Sequence, residues 1–259
     1  FDFPSLNSWK DLIVERLTYS SMVKNADSII TVSEYSRKRI MTHWKLPTEH
    51  VGIISNGVTC RLGLEENDPM IQSDPRNAFG FQGAYFLWCG AMWKRKNVST
   101  LIQAFSELRR RGHNDISLVL AGTGGNESKA VDRLTRNLGL EANVHKIGYV
   151  SDANLYALYA NASGFIFPSL YEGFGIPVLE AMTCGTPVIS SKQTALAEIV
   201  GSAGLLVDPL NANSISDAME SLLTNPKLSR DLTSRGRERA KKFTWRKSAE
   251  TLLGIFTET

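Results

Sequence analysis

Residues 167–180 read Phe-Pro-Ser-Leu-Tyr-Glu-Gly-Phe-Gly-Ile-Pro-Val-Leu-Glu and follow a short apolar run that indicates a buried strand. Gly173 and Gly175 permit backbone dihedrals closed to other residues and allow close approach to a ligand. Pro177 suits the first turn of a helix, because the missing N–H has no partner there anyway. The stretch therefore predicts a strand, a ligand-binding loop and a helix N-terminus that favours an anion, most naturally a phosphate.

Two glutamates in this stretch are separated by seven residues. Glu172 lies in the predicted loop and Glu180 lies one turn inside the predicted helix. Each carboxylate can accept hydrogen bonds from hydroxyl groups, one at either end of an extended ligand. A sugar joined through a diphosphate to a nucleoside has that shape. The alternative is two surface glutamates around an ordinary loop, helix and strand.

Strands and helices alternate on both sides of this stretch. The predicted strands cover residues 85–89, 117–121, 144–147, 164–167, 186–190 and 205–207. Apolar residues at helical spacing follow Asn97 and Ser99, which are available as helix caps. Earlier in the chain, a helix from about Trp9 to Asn25 precedes strands at 28–32 and 51–54, with Ser33 capping a helix between them. This order predicts a mainly parallel, doubly wound α/β sheet that binds ligands at the carboxyl ends of its strands.

Composition excludes several classes of protein. The net charge is only +3 and 42% of residues are hydrophobic, which suits a globular domain and not a nucleic-acid-binding polyelectrolyte. Basic residues cluster at 37–39, 94–96, 109–111 and 235–242. Most of these read as solvated helix surfaces, and the alternative is contact with anionic lipids or phosphorylated acceptors. The odd number of cysteines indicates reduced residues in the cytoplasm. The histidines lack the spacing of metal ligands. No apolar run reaches the ~18 residues that span a bilayer.

The Glu-x7-Glu stretch, continued by Ala181-Met182 and Gly185-Thr186-Pro187-Val188, resembles the signature of the retaining glycosyltransferases of family 4, which have the GT-B fold. The resemblance implies transfer of a sugar from a nucleotide-sugar to a hydroxyl acceptor with retention of anomeric configuration. Glu172 would hold the donor sugar and help stabilise positive charge at the anomeric carbon, while Glu180 would bind the ribose hydroxyls. The remaining donor-binding residues implied in this stretch are Gly173, Phe174, Gly175, Val178 and Leu179.

The loop Gly90-Ala-Met-Trp-Lys-Arg-Lys-Asn97 resembles the family's basic loop, which clamps the donor diphosphate. Lys96 matches the family lysine and is assigned with Glu172 to catalysis, while Gly90 and Arg95 are assigned to donor binding. Ala91 stands where many relatives have arginine, so Lys94 or Arg95 would have to substitute. Such cations would stabilise negative charge on the leaving nucleoside diphosphate. The alternative is a solvated basic loop.

Three further positions follow from the resemblance. Gly122 lies in Ala-Gly-Thr-Gly-Gly, which lacks the complete dinucleotide fingerprint, and either lets the chain pass close to the ligand or forms a plain turn. Tyr149 and Val150 stand where relatives contact the nucleobase, partly through the backbone. Glu198 also matches a family position, with a structural role favoured over a functional one.

The resemblance also predicts the reactants. No Asp-x-Asp motif is present, so we expect a metal-independent enzyme without a cofactor beyond its donor. The sequence around Tyr85 and Arg95 is most similar to those of bacterial polysaccharide mannosyltransferases. We therefore expect GDP-mannose as the donor first and a UDP-sugar second. The acceptor would be a saccharide or a lipid-linked sugar in polysaccharide or glycolipid synthesis. We expect a cytoplasmic protein, with peripheral contact to an anionic inner membrane face as an extension.

In GT-B terms the sequence divides into four parts. Residues 1–64 would be the tail of the N-terminal, acceptor-side domain, 65–79 a linker, 80–240 the nucleotide-sugar-binding domain and 241–259 the crossover helix. The front of the first domain would then be missing, and we expect this chain alone to be inactive in transfer. The alternatives are a donor-nucleotide-binding fragment or a regulatory module without catalysis. A nicotinamide oxidoreductase would need a fingerprint that this chain lacks.

Overall fold

The computed structural model describes residues 18–58 and 74–257. Residues 18–25 are helical, and the start of the predicted first helix lies outside the described residues. Strands β1 (Ile29–Thr31) and β2 (Val51–Ile53) pair in parallel on either side of helix α1 (Glu34–Trp44). Ser33 caps α1 as predicted, because its side chain accepts a hydrogen bond from the N–H of Ser36.

The remaining elements alternate strand and helix along the chain. They are α2 (Pro75–Phe79), β3 (Ala84–Cys89), α3 (Val98–Arg110), β4 (Ile116–Ala121), α4 (Ser128–Asn137), β5 (Val144–Gly148), α5 (Asp152–Asn161), β6 (Gly164–Phe167), α6 (Ile176–Thr183), β7 (Val188–Ser191), α7 (Thr194–Val200), β8 (Leu205–Val207), α8 (Ala212–Thr224), α9 (Pro226–Ala240) and α10 (Trp245–Thr257). Helix α2 lies within the stretch that the sequence analysis assigned to a linker, and Pro75 at its start is buried.

Strands β3 to β8 form one parallel sheet in the order β5-β4-β3-β6-β7-β8, which confirms the predicted doubly wound fold. The chain builds outward from β3 to β5 and then returns to place β6 on the other side of β3. This reversal creates the switch point at which doubly wound sheets bind ligands. The loops that follow β3 and β6 flank it, and these loops carry the predicted site residues.

The four central strands of the sheet, β4, β3, β6 and β7, are buried on both faces. Strand β4 is buried at every residue, and the buried side chains of β3 include Trp88 and Tyr85. Helix α3 covers the sheet with the predicted apolar stripe, whose members Leu101, Ile102, Phe105 and Leu108 are fully buried. Burial on both faces is typical of parallel sheets and gives the site loops a rigid base.

The first part of the chain packs on the sheet domain through Glu198 of α7. Its two carboxylate oxygens accept hydrogen bonds from the backbone N–H groups of Glu34 and Tyr35, each at 3.1 Å. A negative charge at this helix N-terminus is favourable because it pairs with unsatisfied N–H groups and the positive end of the helix dipole. At the other end of the chain, Ser248 of α10 donates to the carbonyl of Ser55 at 2.6 Å. These contacts give Glu198 the role of an anchor for α1.

Thr194 begins α7 with φ +63°, in the left-handed region that β-branched residues avoid. Its side chain is buried, and its hydroxyl has no hydrogen-bond partner among the described residues. Left-handed backbone costs a residue with a Cβ about 1–2 kcal/mol. Thr194→Gly should therefore raise the free energy of unfolding by about 1 kcal/mol in urea titrations. Thr194→Ala, which keeps the Cβ, should gain less, and a loss of stability on Thr194→Gly would contradict the strain.

Candidate functional site

Glu172 is held between two cations at the switch point of the sheet. Its Oε1 lies 2.6 Å from Nζ of Lys96 and 2.9 Å from a guanidinium nitrogen of Arg95. The side chains of Glu172 and Lys96 are 12% and 11% exposed, whereas that of Arg95 is 39% exposed. The structure thus brings together a predicted sugar-binding carboxylate and both predicted diphosphate-binding cations.

Lys96 is a buried cation. Burial lowers the pKa of its ammonium below the ordinary value, and the carboxylate of Glu172 offsets part of that effect. Nζ also lies 4.4 Å from the centroid of the Phe167 ring, at the end of β6, which favours the charged form. A desolvated cation attracts an anion more strongly than one in bulk water. Lys96 is therefore the stronger of the two candidate phosphate-binding groups.

Asn97 fixes the basic loop against its neighbours. It has left-handed backbone with φ +59°, and its Nδ2 donates to the carbonyls of Pro168 at 3.1 Å and Pro209 at 2.6 Å. The N–H of Leu170 donates to the carbonyl of Arg95 at 2.7 Å, so the loops after β3 and β6 are joined directly. Asn97 occupies the N-cap position of α3 as predicted, but its side chain makes no cap bond. The prediction that Ser99 is a cap is wrong, because it lies inside α3 and bonds Glu127.

Gly122 is required by a backbone contact. With φ +128°, a Cβ at this position would lie 2.0 Å from the carbonyl oxygen of Gly90 in the loop after β3. The N–H of Gly122 also donates to the carbonyl of Gly148 at the end of β5. In the structure this glycine lets the ends of β3, β4 and β5 pack against one another, while its predicted role near the ligand stays a prediction. Gly90 and Gly122 are therefore in direct backbone contact where the basic loop begins.

The loop between Glu172 and Glu180 combines a buried anchor with an open helix start. Phe174 is buried and packs edge-on against Phe243, with ring centroids 5.8 Å apart. Gly175 precedes α6 with φ +124° and offers no side-chain cap. Pro177 has no N–H and the N–H of Val178 donates to the carbonyl of Gly175 at 3.0 Å, so the N–H of Ile176 is the first-turn donor that remains for another acceptor. The side chains of Val178 and Leu179 are fully buried. Contact of these two residues with a nucleotide would have to use their backbone.

Glu180 lies deeper than Glu172, at 9% exposure. The phenol of Tyr159 on α5 donates to its Oε2 at 3.4 Å, and the thiol of Cys89 lies 3.0 Å from that phenol oxygen. The charges of both Glu180 and Lys96 act on the pKa of Cys89, so the predicted ribose and phosphate groups converge near the end of β3. The sequence alone does not predict a role for Tyr159, because a tyrosine on the apolar face of a helix is typical of a core residue.

The match to a family of known proteins covers this whole region. The family described as "Glycosyl transferases group 1" matches residues 73–239, which include the sheet and every residue of the site. The chain belongs to the glycosyl transferases group 1 family.

Relatives of this chain include mannosyltransferases. O-antigen chain mannosyltransferase B of Escherichia coli is 35% identical over 223 residues, covering 85% of this chain and 58% of that protein. The MMP alpha-(1->4)-mannosyltransferase of Mycolicibacterium hassiacum is 30% identical over 239 residues, covering 91% and 55%. The chain thus spans less than two thirds of the length of either relative.

Similarity to solved structures confirms the GT-B type of the fold. Sucrose-phosphate synthase of Thermosynechococcus elongatus superposes with a TM-score of 0.81 at 26% identity, over 98% of this chain and 63% of that one. Anabaena Alr3699/HepE, solved in complex with UDP and glucose, gives a TM-score of 0.84 at 20% identity, over 99% and 69%. The second likeness concerns the fold alone.

The two predicted nucleobase-binding residues, Tyr149 and Val150, lie at the edge of the sheet. Tyr149 directly follows β5 and is 80% exposed, while Val150 is half-buried beside the core. Strands β4 and β3 separate β5 from β6, so Tyr149 shares the carboxyl edge with the glutamate loop without touching it. Within residues 18–58 and 74–257, no cluster of three or more His, Cys, Asp or Glu side chains could hold a metal ion. The same residues include no helix long and apolar enough to cross a bilayer.

Proposed function

We propose that this chain is the donor-binding part of a retaining glycosyltransferase of family 4, which moves a sugar from a nucleotide-sugar to a hydroxyl acceptor. The observation that carries the proposal is the position of Glu172 between Lys96 and Arg95 at the switch point of the sheet. Anionic and cationic groups meet there beside an uncapped helix start. A sugar-diphosphate needs both kinds of group within one site.

The chemistry assigns a role to each group. When the bond between sugar and diphosphate breaks, negative charge develops on the phosphate oxygens. Lys96, Arg95 and the N-terminus of α6 stabilise that charge, which lowers the barrier to departure of the nucleoside diphosphate. Glu172 accepts hydrogen bonds from the sugar hydroxyls and stabilises positive charge at the anomeric carbon. Because Lys96 and Arg95 already contact Glu172, they can bridge the carboxylate and the diphosphate when donor binds.

The donor proposed first is GDP-mannose, supported by the two mannosyltransferases among the relatives. A UDP-sugar is the second proposal. Exposed Tyr149 offers an aromatic face to the base, and Glu180 offers a carboxylate to the ribose. The acceptor would be a saccharide or lipid-linked sugar of polysaccharide or glycolipid synthesis, used at the cytoplasmic face of a membrane.

Nucleoside diphosphate should bind this chain without a metal ion, because cationic side chains and a helix N-terminus supply the positive charge. In EDTA, GDP or UDP at ~100 times its Kd should stabilise the fold by about 2.7 kcal/mol, measured as a rise in Tm. Adding Mg²⁺ should change the midpoint little. Binding that appears only with Mg²⁺ would show that the phosphate site is wrongly assigned.

A further inference from the structure

A chain of buried polar groups lies behind Glu180. Cys89 at the end of β3 lies 3.0 Å from the phenol oxygen of Tyr159, which lies 3.4 Å from Oε2 of Glu180. Tyr159 is fully buried, and Cys89 and Glu180 are 7% and 9% exposed. Among the described residues, the phenol oxygen meets only these two groups. Phenylalanine would fill the same space without the cost of burying a hydroxyl, so the hydroxyl calls for an explanation.

The order of protons along this chain is fixed by its last member. An ionised carboxylate can only accept hydrogen bonds, so the Tyr159 phenol must donate to Glu180. The phenol oxygen is then left to accept from the Cys89 thiol. Burial raises the pKa of Cys89 to about 12 and raises the pKa of Tyr159 well above its ordinary value, so both groups keep the protons they donate.

The phenol itself is held from several sides. Its ring packs edge-on against Phe165 of β6, with centroids 5.2 Å apart. The backbone carbonyl of Tyr159 accepts a hydrogen bond from the hydroxyl of Thr186 at 2.6 Å. A donor fixed in this way restricts the rotation of the carboxylate that it contacts. Buried polar groups with satisfied hydrogen bonds are effective at such orientation.

We propose that Tyr159 is a positioning residue for nucleotide binding, which orients the carboxylate of Glu180 toward the ribose hydroxyls. Cys89 supports it by donating to the phenol oxygen. This inference rests on the proposed function, since it assumes that Glu180 binds the ribose of a nucleoside diphosphate. Cys89 directly precedes Gly90, so the arrangement also connects the ribose-binding group to the loop that carries Lys96.

The test compares two buried phenols by isothermal titration with GDP. Tyr159→Phe should raise the Kd about threefold to tenfold, the size of one net hydrogen bond. Tyr85→Phe is the matched control, because Tyr85 is equally buried and its phenol donates at 2.7 Å to the backbone carbonyl of Leu158 and not to the Glu180 carboxylate. It should leave the Kd unchanged. Cys89→Ala removes the supporting donor without altering Tyr159 and should raise the Kd by a smaller factor.

A second ligand separates positioning from simple loss of structure. 2′,3′-Dideoxy-GDP lacks the ribose hydroxyls, so Tyr159→Phe should not weaken its binding. In the Glu180→Gln background, Tyr159→Phe should add little further loss for GDP. Equal losses for GDP and dideoxy-GDP, or an unchanged Kd for GDP, would overturn this inference while leaving the proposed function standing. Failure of the unaltered chain to bind GDP or UDP would overturn the proposed function and the inference with it.

Discussion

Lys96→Met should weaken the binding of GDP by about 100-fold, or about 3 kcal/mol, the upper end for hydrogen bonds to charged groups. The Lys96 side chain is 11% exposed, and its ammonium pairs with Glu172 beside the ring of Phe167. Methionine keeps an unbranched side chain against the Phe167 ring but removes the charge. Because Arg95 still contacts Glu172, the variant leaves that carboxylate partnered and should fold. Isothermal titration with GDP and UDP measures the loss.

Lys94→Met is the matched control for this change. Lys94 lies two residues away in the same loop and loses the same charge, but it is exposed. A solvent-screened charge contributes little, so the affinity should fall less than about threefold. Similar losses in the two variants would mean that the loop attracts phosphate through its general charge. The assignment of Lys96 to the donor diphosphate would then fail.

The sequence predicts most strands and helices of this fold but not the side-chain contacts between them. Apolar runs predict β6 and β8 to the residue. In β6 the run reflects burial of every residue, whereas β8 is an edge strand in which Leu206 is exposed. The start of β7 was placed two residues early, since Thr186 and Pro187 precede the first paired residue, Val188. Helix α2 was missed because its short polar sequence resembles a loop.

In the site, too, local motifs predict which residues take part, but not the contacts between residues far apart in the sequence. Glu172 and Lys96 were assigned from local motifs, yet their ion pair joins loops more than 70 residues apart and follows only from the strand order. The two hydrogen bonds of Asn97 to carbonyls after β6 and β8 join residues that are 71 and 112 positions apart in the sequence. No local pattern predicts a role for Tyr159, because its hydroxyl reaches Glu180 only when α5 packs beside α6. Hydrophobic periodicity fixes which face is buried but not which polar atom meets another inside.

The two glutamates should differ in the ligands that they distinguish. Glu180→Ala should weaken GDP and GDP-mannose alike by about 1.5–3 kcal/mol, because both ligands contain the ribose whose hydrogen bonds to a charged group are lost. Glu172→Ala should weaken GDP-mannose by a comparable amount, since only that ligand carries the sugar. Titration of each variant with both ligands gives the four values needed.

The cations around Glu172 sharpen this expectation for GDP. In the unaltered chain Lys96 and Arg95 both contact Oε1 of Glu172, so the negative charge of that carboxylate partly neutralises theirs. Removing the carboxylate leaves them available to the diphosphate, and the affinity of Glu172→Ala for GDP should be unchanged or higher. Glu238→Ala provides the control, because it removes the same charge from an exposed side chain of α9 that pairs with Lys241, and it should alter neither affinity. If both site variants lose GDP and GDP-mannose equally, the glutamates do not divide the donor between its sugar and its ribose.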